Sequence, residues 1–144
     1  MTAACTIVGI DCATEEKRIG LARGSLDELG KLHVERVTLG TAGESPAASV
    51  AQWIEGAERF VLAFDAPLGW PSRLASALAK HEAGATFEHD ADSLFRRHTD
   101  EVVYRALGKH PLEVGADRIA RTAHAALVML AEIRRLSPKR VPLA

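Results

Sequence analysis

Residues 60–71 read FVLAFDAPLGWP, an apolar run dense enough for a buried strand that ends on a carboxylate, Asp65, and then turns at once through Pro67, Gly69 and Pro71. A short apolar run closed by proline and glycine reads as a strand rather than a helix. Residues 5–14, CTIVGIDCAT, repeat the pattern, because Thr6 to Ile10 form an apolar strand that ends on Asp11. Two strands that each carry an aspartate at the C-terminal end assemble a site if they lie side by side.

The intervening sequence predicts that they do. KRIGLARG, residues 17–24, is a second strand after a polar turn, Ala13 to Glu16, which makes the first two strands a hairpin. The turn-rich GSLDELGK leads to KLHVERVTLG, where Leu32, Val34 and Val37 stand among charged neighbours as in a half-solvated third strand. Gly40, Gly43 and Pro46 then end the strand pattern, and Ala47, Val50, Trp53 and Ile54 recur at helical spacing. Ser45 is the expected N-cap, with Pro46 at the first helical position, where a missing N–H costs nothing. An antiparallel meander followed by a right-handed helical crossover places strand four parallel to strand one and beside it. The expected sheet therefore runs 3-2-1-4, with Asp11 and Asp65 together at the edge where open α/β sheets place their ligands.

Past Pro71 the pattern is helical with breaks. A helix from Pro71 carries Leu74, Ala75 and Leu78 and stops near Gly84, and ATFEHDADSLFRRH, residues 85–98, has no steady period and reads as a loop. Thr99 is the expected cap of a short helix with Asp100 and Glu101 in its first turn and Gly108 at its end. The last helix spans roughly residues 116–136, with Ile119, Ala123, Leu127, Leu130 and Ile133 or Arg134 along one side.

Composition sets the outer limits. With 144 residues, 47% hydrophobic and 26% charged, one α/β domain with a proper core is expected. Eighteen basic against 19 acidic residues leave a net charge of −1, so no overall field favours nucleic acid or an anionic membrane. Two cysteines, Cys5 and Cys12, lie too close along one extended segment to staple the fold and read as buried thiols. No signal-peptide pattern or membrane span is apparent, which makes the cytoplasm the default expectation.

Two carboxylates held that close repel each other unless a cation lies between them, and a hard divalent ion such as Mg²⁺ or Mn²⁺ is the natural occupant. For either aspartate alone, capping of a neighbouring turn is the simpler reading; the pair, so placed, points to a metal site. Arg96 and Arg97, followed by His98, form the compact basic cluster of the chain. Arginine matches phosphate oxygens with a planar fork, so the cluster reads equally well as a phosphate clamp or as surface pairs with Asp92 and Asp100. Trp70, between Gly69 and Pro71, is placed either to stack a base or to pack the turn.

Other constellations carry less. His81, His89 and His98 match no zinc spacing, Cys12 beside Asp11 makes a poor nucleophile, and no GxxxxGK[ST] or GxGxxG supports glycine-loop nucleotide binding.

Four separated motifs, VGIDCAT, FDAPLGWP, FRRHTDEVVYRALGKHP and EVGADRIARTAHAAL, together resemble the uncharacterised family 429 of predicted ribonuclease H-like nucleases. The resemblance covers most of the chain in order. It implies a ribonuclease H-like three-layer fold, with helices packed on a 3-2-1-4 sheet and a fifth strand after four, and a metal-dependent phosphodiesterase acting on nucleic acid or another phosphoester. Asp11 and Asp65 match the motif carboxylates; Arg97, Asp100 and Asp117 match its polar signature, and Asp100 or Asp117 is then a candidate to complete the metal shell. For Asp117 the simpler account is a helix first turn paired with Arg121 at i,i+4. The alternative for the whole is a non-catalytic module that kept the fold with an incomplete site. Family members continue beyond the last helix, whereas this sequence stops at SPKRVPLA, so strand four is expected as an open edge and the chain as a homodimer through it.

Overall fold

A computed structural model describes residues 5–40, 44–113 and 119–143. The chain divides into two compact units, Met1–Ala66 with His124–Ala144, and Pro67–Ala123.

In the first unit, β1 (Cys5–Asp11), β2 (Gly20–Leu26), β3 (Leu32–Leu39) and β4 (Arg59–Phe64) form one mixed sheet of order β3-β2-β1-β4. β1 pairs antiparallel with β2 and parallel with β4, as the meander and crossover require. β2 starts later than the sequence pattern indicates, because Glu16–Arg18 wind into a 3-10 turn first. The β2–β3 turn is closed by Asp27, whose carboxylate accepts from the backbone N–H groups of Leu29 at 2.9 Å and Lys31 at 2.8 Å.

Strand alternation gives the sheet two unlike faces. Thr6, Val8 and Ile10 of β1 and Leu21 of β2 are buried on the inner face. The helix α1 (Pro46–Glu55) covers it with Ala47, Val50, Ala51, Trp53 and Ile54, all buried. Ser45 caps this helix as expected, its hydroxyl accepting from the Ala48 N–H at 3.1 Å. Arg36 of β3 lies 5.4 Å from the Trp53 ring centre, a cation–π contact on the same face. Ala126, Met129, Leu130 and Ile133 of α5 (Ile119–Leu136) add a second buried stripe at helical spacing. Large side chains such as Ile54 and Ile133, fully withdrawn from water, each stabilise the unit by roughly 1.5–3 kcal/mol.

Within this unit helices cover one face, and Val34, Val37, Leu39 and Val61 on the other are more than half exposed. The third strand is thus more solvated than its alternation indicates, because its apolar side chains point to the open face.

In the second unit, α2 (Ser72–Leu78) buries Leu74, but Ala75 and Leu78, expected to face inward with it, are exposed, and the helix is shorter than its sequence pattern. Part of the expected loop is helical: α3 (Ala91–Phe95) is capped by Asp90, which accepts from the Ser93 N–H at 2.9 Å, and buries Leu94. α4 (His98–Leu107) begins one residue before Thr99, the expected cap, and ends, as expected, at a left-handed Gly108 with φ 68°. Residues 116–118 of the expected last helix lie outside the described residues. Among the described residues no helix is long and apolar enough to cross a membrane.

Candidate functional site

The parallel ladder between β1 and β4 continues one step past its last pair, Ile10 and Phe64. The Asp65 N–H donates to the Ile10 carbonyl at 2.8 Å, which holds Asp65 in register beside Asp11. Neighbouring strands lie about 4.8 Å apart, so the two aspartates, both on the outer face by alternation, project side by side. Both are exposed, and among the described residues neither carboxylate forms an ion pair or a side-chain hydrogen bond.

Cys12 reports the same convergence. Burial first, and then the charges of Asp65 and Asp11, push its thiol up to about 11, against a backbone hydrogen bond at Asp65 that lowers it. Its Sγ donates to the Ile10 carbonyl at 3.7 Å. A thiol held protonated in this way is a poor nucleophile, in keeping with the sequence reading.

Gly20, opposite Asp11 on β2, leaves room for the carboxylate. A Cβ at position 20 would stand 3.2 Å from the Asp11 Cβ and 3.6 Å from its Oδ2. The pair closes one end of an open groove of about 780 Å³ on the outer face, whose lining includes Gly9, Ala22, Ala63, Val37 and Leu39. Small residues on the two central strands make the floor, and bulkier ones on β3 raise one wall. Nothing in the spacing of the motifs announces this groove; it follows from the glycines and alanines that alternation aligns on one face.

The remaining candidates fall in the second unit. Asp100 is 3% exposed, and its carboxylate is engaged by Arg97: it accepts from the Arg97 backbone N–H and from Nε, each at 2.9 Å, and Nη2 donates to its other oxygen. Burial would push the Asp100 carboxyl up, but the hydrogen bonds and charge of Arg97 outweigh it and hold the group below the usual carboxylate range. Both Asp100 oxygens are therefore occupied by a capping ion pair. Arg96 pairs with Asp92 at 2.7 Å and lies 3.8 Å from Glu113. Asp117 lies outside the described residues.

Trp70, Arg96 and Arg97, singled out separately in the sequence, do line one cleft, of about 640 Å³, together with Arg73 and His98. Sequence reasoning missed Arg73, although its position three residues after Trp70 at the start of a helix was a usable signal. Among the described residues no group of three or more His, Cys, Asp or Glu side chains is arranged to hold a metal ion. No protein-family model, curated protein or solved structure matches this chain.

Proposed function

We propose that the chain is a ribonuclease H-like, divalent-metal-dependent phosphodiesterase whose ion, Mg²⁺ or Mn²⁺, is held by Asp11 and Asp65. The observation that carries this reading is the in-register pair of exposed carboxylates, which has no cationic partner among the described residues. The donor set fits such an ion. Mg²⁺ keeps several waters and is usually held by one or two protein carboxylates plus substrate phosphate, so a pair suffices where a zinc or calcium cage would not. When bound, the ion supplies a polarised phosphoester and a more acidic water.

The chain's own residues supply position. The Asp65 N–H to Ile10 bond and the rigid ladder of β1 and β4 fix both carboxylates, and Gly20 keeps the space Asp11 occupies. The strand order 3-2-1-4, with β4 parallel to β1, and the four motifs that resemble family 429 support the ribonuclease H-like assignment. Among the described residues β4 pairs on one side only, so its free ladder groups offer a second copy of the chain a place to add. A light-scattering mass of one chain at micromolar concentration contradicts that pairing.

A second reading has its own observation. With no third ligand among the described residues, the pair would anchor a phosphate through an ion without turnover, as a binding module. Labelled single-stranded, duplex and hybrid oligonucleotides separate the two. Cleavage in Mn²⁺ that disappears in Asp65→Asn supports the enzyme; cleavage that persists in that variant excludes this site. Metal binding without cleavage of any of the three leaves the module.

A further inference from the structure

We infer that the cleft of the second unit binds single-stranded nucleic acid, with Trp70 as the stacking platform for one base and Arg73 as the contact to its phosphate. The cleft is about 640 Å³, within the usual size range for a small-ligand site and ample for a base with its phosphate. Trp70 is 42% exposed at its wall, a large apolar ring left accessible beside basic side chains. Such a ring accepts any unstacked base on its face, whereas bases inside a duplex present only their edges.

Asp92 is neutralised by Arg96 at 2.7 Å and Glu101 faces Arg105 at 3.5 Å, whereas Asp90 keeps its charge but turns it to the Ser93 N–H as the α3 cap. Arg97 is committed to the buried Asp100. Among the described residues Arg73 is the one permanently charged group lining the cleft that makes no ion pair or hydrogen bond. A guanidinium without a carboxylate, next to an accessible indole, matches the alternation of phosphate and base along a single strand. Arg96 and Arg97, held by their partners, shape the wall.

This inference does not rest on a metal at Asp11 and Asp65, and the test is run without one. A short oligothymidylate is titrated in EDTA while tryptophan fluorescence is followed. The second tryptophan, Trp53, is 6% exposed and contributes a constant background. Quenching is expected, with binding weakened about tenfold or more in Trp70→Ala when read by anisotropy of a labelled strand. Arg73→Gln should weaken it severalfold and lower the salt slope by about 0.7, one phosphate contact on a single strand. Inorganic phosphate alone should leave the fluorescence unchanged. Absence of quenching, equal affinity in the Arg73 variant, or equal affinity for duplex of the same length would overturn the proposal. Both substituted side chains are exposed, so loss of fold does not confuse the result, and circular dichroism verifies it.

Discussion

Asp65 donates its backbone N–H to the carbonyl of Ile10 at 2.8 Å, one residue past the last paired position of β4. This one bond extends the ladder by a residue and so sets Asp65 beside Asp11 on the same face. A strand that frayed at Phe64 would leave the second carboxylate on a loop.

The Arg97–Asp100 pair is the main polar fixture of the second unit, and its removal tests how much that unit depends on it. Arg97→Ala leaves a carboxylate that is 5% exposed with no guanidinium, only the backbone N–H of residue 97, and should cost about 2–3 kcal/mol in urea unfolding. Replacing Asp100 by Leu as well should recover part of that loss, since no buried charge is then left unpaired. A loss below about 0.5 kcal/mol would mean that the pair behaves as a surface salt bridge.

The same pair sets an acid limit. The folded Asp100 carboxyl is held below its unfolded value, so the pair contributes stability above about pH 4 and loses it as pH falls through the lowered folded value. Asp27, through its hydrogen bond to His33, and Asp90, through the Ser93 N–H, shift in the same direction. Stability measured by urea should therefore fall as pH drops below about 4, and Asp100→Asn should flatten the fall. A wild-type stability that rises on acidification in this window contradicts the assignment.

Much of this fold is legible in the sequence because local chemistry and tertiary packing agree. The apolar runs before Asp11 and Asp65 give β1 and β4, and Ser45–Pro46 gives the start of α1. Where the reading is displaced, a competing local feature is visible. Glu16–Arg18 take a 3-10 turn and delay β2. α3 has one buried side chain, Leu94, too few for any period to show. α4 starts at His98 because the Asp100 carboxylate, which accepts from the Arg97 N–H, caps it rather than a Thr99 hydroxyl. For the site, the two strand-end aspartates were legible and the groove beside them was not. Its floor depends on which small residues the register brings opposite one another, such as Gly9 against Ala22.

Two glycines offer a matched test of packing. A Cβ at Gly40 would stand 1.9 Å from the Glu16 carbonyl oxygen, a backbone atom that cannot move without the turn, whereas a Cβ at Gly56 meets nothing. Gly40→Ala should cost about 2–3 kcal/mol or more, and Gly56→Ala should be neutral or slightly stabilising. Equal thermal shifts for the two would show that the Glu16 turn yields freely.

Cys12 provides a probe of the carboxylate pair that needs no activity. With its thiol pushed up to about 11, its alkylation by iodoacetamide in a Cys5→Ser background should still be accelerating at about pH 10, where an ordinary thiol has levelled off. Asp65→Asn should shift that profile downward. A profile centred at the ordinary value of about 8.5 would mean that the thiol is neither buried nor beside the two carboxylates, and a profile unmoved by Asp65→Asn would place Asp65 away from it.

The central claim is that Asp11 and Asp65 form one divalent-cation site, and calorimetric titration with Mn²⁺ tests it most directly. The folded wild type should bind, and Asp11→Asn and Asp65→Asn should each abolish binding while circular dichroism shows both variants folded. Absence of binding in the folded wild type, or binding that survives in either variant, would contradict the claim.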